Sequence, residues 1–136
     1  MYKNEAFKLG EDFHRVGHDI IPENWLDSDD FYWFVPSIVN MAFACELYLK
    51  SLVLDGSSAM KEHDWVKFYN LLTPSQQMKI HHFMGNDDLL ENIREGGRVF
   101  VDWRYIFEHD RPKSVDIIFL ENFAIVLHEL AQENLD

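Results

Sequence analysis

Residues 37–54 read SIVNMAFACELYLKSLVL. Val39, Met41, Ala42, Phe43, Cys45, Leu47, Leu49, Leu52 and Val53 leave almost no continuous polar face on a helix. A helix that is apolar nearly all round is packed on several sides, so this segment predicts a central helix with other helices around it. It opens at Phe31 or Ser37 and ends at Asp55-Gly56, with Gly56 suited to the left-handed position after a helix. Glu46 and Lys50 are its charged residues. They stand four apart in the acid-first order that favours a pair on one helix face.

The flanking sequence supplies the other helices. Upstream, residues 4–20 carry Phe7, Phe13, Val16 and Ile20 at helical spacing, weakened by Gly10 and Gly17 and ended by Pro22. The connector PENWLDSDD follows, with Ser28 or Asp29 as N-cap. Downstream, residues 63–72 place Trp65, Phe68, Leu71 and Leu72 on one side of a short helix. At Thr73-Pro74-Ser75-Gln76, threonine caps, proline takes the first helical position and glutamine completes a capping box. That helix ends near Gly85-Asn86. Another begins at Asp87, and Gly96-Gly97 predicts a break or bend before residues 98–108. Pro112 and Ser114 prepare a last helix over residues 115–134, with Ile117, Leu120, Ala124, Leu127 and Leu130 as its apolar stripe. No segment alternates with period two. The expectation is one all-α domain over residues 1–136, an antiparallel helical bundle of about five to six helices.

Composition bounds the function. The chain has 136 residues, 12 Lys and Arg against 24 Asp and Glu, and a net charge of −12. An apolar fraction of 47% with eleven Phe argues against disorder. The acidic balance excludes a generally basic nucleic-acid binder, which needs excess Lys and Arg to displace counterions. The single cysteine, Cys45, excludes an intramolecular disulfide and a cysteine zinc cluster. The longest uncharged run, FYWFVPSIVNMAFAC at residues 31–45, falls short of the roughly 20 residues of a membrane span, so it reads as buried core. The first residues show no apolar core of a secretory signal. With one cysteine, the expected setting is cytoplasmic.

Seven histidines raise the question of metal. His14 and His18 can share a helix face, but the H-E-x-x-H pattern is absent and Arg15 would repel a cation, so they read as a structural or exposed pair. His81 and His82 point about 100° apart and do not chelate together. No metal or cofactor is expected. The densest polar–aromatic cluster is FVDWRYIFEHDRP at residues 100–112. Its Arg104 can clamp a phosphate through forked donors, and its His109 can transfer protons near neutral pH. Together they can cleave RNA without metal, one group activating the 2′-hydroxyl and the other stabilising the phosphorane or protonating the leaving oxygen. Residues five apart differ by about 140° round a helix, so the two converge only if the helix ends between them or a second subunit completes the site. Arg104 and Glu108 would converge unaided. Spacing alone therefore favours a local Arg104–Glu108 pair with His109 at a helix end.

The stretch Met41-Ala42-Phe43-Ala44-Cys45-Glu46-Leu47-Tyr48-Leu49-Lys50-Ser51-Leu52, then Glu62-His63-Asp64-Trp65-Val66-Lys67-Phe68-Tyr69 after a glycine-containing turn, resembles the HEPN superfamily (higher eukaryotes and prokaryotes nucleotide-binding). Its members show a Glu-Leu-x-Leu-Lys-like helix followed by a His-Asp-Leu-like helix start. The resemblance covers residues 37–130. It implies a small, usually dimeric antiparallel helical bundle. Many members are metal-independent ribonucleases of toxin–antitoxin or defence type, with an R-x4-6-H signature duplicated across the dimer. Arg104-Tyr105-Ile106-Phe107-Glu108-His109 matches that signature, so the resemblance implies a homodimer in which Arg104 and His109 are catalytic. Glu46, Tyr105 and Glu108 would support them. Active members commonly carry a polar residue after the arginine, where this chain has Tyr105. Some branches keep Arg-Tyr without the catalytic histidine, which implies the alternative, a noncatalytic module binding a nucleotide or partner protein. His63-Asp64 is expected to cap the short helix. A nucleotidyltransferase-type antitoxin is the implied partner class.

Overall fold

The computed structural model describes residues 2–24, 33–53, 63–85, 87–104 and 117–135. Within them lie six helices and no strand: α1 (Tyr2–Asp19), α2 (Phe34–Val53), α3 (Trp65–Leu71), α4 (Pro74–Met84), α5 (Leu89–Arg104) and α6 (Ile117–Glu133). The expected caps at Ser28 or Asp29, the turn at Gly56 and the start at Pro112 and Ser114 lie outside the described residues.

Local signals set several ends. Asp64 caps α3, its carboxylate accepting from the Lys67 amide at 3.1 Å. At the start of α4 the Thr73 hydroxyl accepts from the Gln76 amide at 3.1 Å, and the Gln76 side chain accepts from the Thr73 amide at 2.9 Å. This is the anticipated capping box with Pro74 in the first turn. The same helix ends at Gly85, whose φ of 85° lies in the left-handed region that glycine tolerates.

α2 is the centre. It packs against α1, α3, α5 and α6. Ile38, Met41, Ala42, Ala44, Cys45, Leu47, Tyr48 and Leu49 are all buried, as its all-round apolar pattern predicts. On α6 the anticipated stripe of Ile117, Leu120, Ala124, Leu127 and Leu130 is buried in full.

Pairing runs antiparallel along α1 and α2. The Ser37 hydroxyl donates to the Gly17 carbonyl at 2.7 Å, and the Ser51 hydroxyl donates to the Lys3 carbonyl at 3.0 Å. α1 is antiparallel to α6 as well, because His14 meets Glu121 while Glu11 meets His128. α2 and α6 therefore run in the same direction.

Two sequence expectations change. Val16 is half-exposed, and the face of α1 turned to α2 carries Ala6, Phe7, Gly10 and Gly17 instead. The glycines that weaken α1 in isolation let it approach α2 closely: a Cβ on Gly17 would lie 3.0 Å from the Met41 amide nitrogen and 3.1 Å from the Ser37 carbonyl oxygen. Gly96-Gly97 does not break the chain, because α5 runs continuously through both. The Trp65 indole lies against them, and a Cβ on Gly96 would come within 2.5 Å of its ring. Burying that indole outweighs a propensity penalty of about 1 kcal/mol per glycine.

Candidate functional site

Arg104 is the last residue of α5. Seven positions separate it from Gly97, which puts its Cα on the same stripe of the helix, about 10 Å farther along the axis. The Arg104 side chain, Tyr105, Glu108 and His109 lie outside the described residues, so the structure neither pairs nor separates them.

Glu46 is described, and its setting goes beyond the anticipated edge pair with Lys50. Its side chain is only 6% exposed. One oxygen, Oε2, accepts from His63 Nδ1 at 2.7 Å and lies 3.4 Å from Lys50 Nζ. The other, Oε1, accepts from the Trp65 indole N–H at 3.2 Å. Burying a carboxylate costs several kcal/mol, and only an arrangement that supplies charge and donors together offsets it. Both oxygens are committed to α2 and the start of α3. Glu46 thus fastens His63 and Trp65 to the central helix, while Trp65 in turn covers the α5 glycines.

Above this network, His63, Asp64, Trp65, Arg94, Gly97 and Arg98 line a cleft of about 200 Å³ between the start of α3 and the middle of α5. Arg94 and Arg98 stand one turn apart. Each also touches a carboxylate on its own helix, Arg94 with Glu91 at 2.7 Å and Arg98 with Glu95 at 4.0 Å. From the sequence, His63-Asp64 is expected to cap α3. Asp64 does cap, whereas His63 belongs to the cleft.

A second cleft, about 340 Å³, opens between α1, α2 and α6. His14 and His18 both reach Glu121 Oε1, at 3.5 and 3.3 Å, and His128 reaches Glu11 at 2.9 Å. The Tyr48 hydroxyl shares a hydrogen-bonding contact of 3.4 Å with His14 Nδ1. The His14 hydrogen bond, aided by the charges of His14 and His18, holds the Glu121 carboxyl below its usual range against the opposing pull of partial burial. Burial, followed by the charge of Glu11, pushes the Tyr48 phenol well above its usual range. Among the described residues, no three His, Cys, Asp or Glu side chains are placed to hold a metal ion. His14 and His18 share a helix face, as their spacing implies. Their common partner, Glu121, lies more than a hundred residues away, and no local pattern announces it. His81 packs edge-on against Tyr69, with ring centroids 6.0 Å apart.

The two clefts differ in sign. Glu11, Asp19 and Glu121 face Arg15 in the α1–α6 cleft, and Arg15 is itself tied to Asp12 at 2.7 Å. The α3–α5 cleft presents two guanidinium groups and an imidazole beside one exposed carboxylate, Asp64. Phosphate chemistry fits the second and not the first. Among the described residues, no helix is long and apolar enough to cross a membrane. Comparison of the chain with protein-family models, curated proteins and solved structures finds no match.

Proposed function

We propose that this chain is a HEPN-like, metal-independent ribonuclease that acts as a homodimer. Arg104 holds the scissile phosphate and His109 moves protons, with Tyr105 and Glu108 shaping the site. The observation that carries the reading is the α3–α5 cleft. An acidic protein concentrates two arginines there, on the helix that ends in Arg104, facing a histidine at the start of α3. Its all-helical fold around a Glu-Leu-Tyr-Leu-Lys helix supports the same reading. Dimerisation supplies the convergence that 140° of helical offset denies Arg104 and His109 within one regular helix. Glu46 supports the site at a distance, by fixing the α3 start against α5.

The test is cleavage of mixed RNA in EDTA by the wild type and His109→Ala. Wild-type cleavage with a loss of about a hundredfold or more in the variant is expected for a proton-transfer group. Equal cleavage by both, or by neither, ends the catalytic reading.

The engagement of Glu46 favours a second reading. Its oxygens are taken by Lys50, His63 and Trp65. A carboxylate so committed serves packing, as expected of a noncatalytic module that binds a nucleotide or partner through the same helices. In that case nucleotides raise the melting temperature, Arg104→Ala abolishes the shift and His109→Ala does not.

A further inference from the structure

We infer that the cleft between the start of α3 and the middle of α5 is a seat for a phosphate-class oxyanion, gripped by Arg94 and Arg98 with His63 on the facing wall. The seat is built from residues other than Arg104 and His109. It rests on the proposed function only for the source of the phosphate, a polynucleotide backbone as against a free phosphate.

The geometry argues for a built seat. Arg94 and Arg98 are one helical turn apart on α5, and Gly97 between them contributes no side chain to the cleft wall. That glycine is held to its size by Trp65, whose ring atoms lie 3.0–3.2 Å from where a Cβ would stand. On the facing wall, His63 is half-exposed, and its Nδ1 is fixed at 2.7 Å by buried Glu46. A carboxylate held against one ring nitrogen sets the orientation of the imidazole. Lys50, 3.4 Å from the same carboxylate and also buried, balances the Glu46 charge, so the acid beneath does not repel an anion above.

The competing interactions are weak. Arg94–Glu91 and Arg98–Glu95 join side chains about half-exposed to solvent, three residues apart. Exposed pairs of this kind hold weakly. Charge-assisted, forked contacts from arginine to phosphate oxygens are stronger and displace them. Asp64 lines the cleft too, but its carboxylate is engaged by the Lys67 amide.

The experiment follows the His63 imidazole resonances of the full chain by NMR while inorganic phosphate is added at constant ionic strength. Chloride serves as the control. A saturable shift with phosphate and none with chloride is expected. The double variant Arg94→Gln/Arg98→Gln, checked for native helicity, should weaken binding by about tenfold or more. An uncleavable 2′-O-methyl oligonucleotide should displace the phosphate if the natural ligand is a polynucleotide; phosphate binding without displacement assigns the seat to free phosphate groups. No saturable shift, or an unchanged affinity in the double variant, overturns the inference. The outcome is independent of catalysis. Phosphate binding in a chain that cleaves no RNA leaves this seat standing and removes the ribonuclease reading; RNA cleavage without a phosphate response at His63 does the reverse.

Discussion

Glu46 joins three donors in a place where water is excluded, and its removal tests what that arrangement is worth. Glu46→Ala removes the carboxylate beside the buried Lys50 ammonium and the acceptor of the Trp65 indole N–H. Breaking a buried pair from one side costs about 3–5 kcal/mol. Urea denaturation should show a loss of that order. Glu46→Gln should lose markedly less, because its amide oxygen still accepts from Trp65 or His63. Equal losses in the two variants would mean that shape, not charge and hydrogen bonding, holds the site. The sequence put Glu46 and Lys50 on one helix face from spacing alone. It could not supply His63 and Trp65 as partners, because they follow 17 and 19 residues later and reach Glu46 only when α3 folds back on α2. His63 was legible as part of a capping pair but not as a cleft residue, for the same reason.

Among the elements, α5 and α1 show where propensity gives way to packing. A glycine pair reads as a break, and two glycines in α1 read as weakness. Both pairs instead lie where another element needs the space of a missing side chain. Substituting alanine would add about 1 kcal/mol of helix propensity in an isolated helix. In this protein Gly17→Ala would press a methyl group on the backbone of Met41 and Ser37, and Gly96→Ala would press one into the Trp65 ring. Backbone cannot move aside cheaply, so Gly17→Ala should destabilise by about 1–3 kcal/mol despite the propensity gain. Hydrogen exchange should locate the loosening in α1. A stabilised Gly17→Ala would refute the close-approach account. The α4 capping box, by contrast, was fully legible, because every group in it lies within four residues.

Across the whole molecule, pH reports how α1 and α6 are joined. Folding holds the Glu121 carboxyl below its usual range, mainly through His14. A depressed carboxyl contributes stability that is fully present above its unfolded value, near pH ~4.3, and lost as pH falls through its folded value. The stability gap between the wild type and Glu121→Gln should therefore be fully open above about pH 4.3 and close as the pH falls below it. Melting temperatures across that range check it, and a gap that stays constant would show that Glu121 is not coupled to His14 and His18. The net charge of −12 also acts at this scale. It disfavours approach of a polyanion, so any phosphate contact depends on the local concentration of Arg94, Arg98 and His63 in one cleft, and should weaken with salt.

What the sequence determined by itself is the helical class, the place of residues 37–53 at the centre, the caps of α3 and α4 and the buried stripe of α6. Each depends on contacts within one or two helical turns, or on an apolar pattern that any packed helix must bury. The tertiary structure decided the continuity of α5, the use of glycine in α1, the partners of Glu46 and the meeting of His14 and His18 with Glu121. Those outcomes depend on which side chains distant segments bring together, and burial then fixes their energies; neither quantity is written in local spacing.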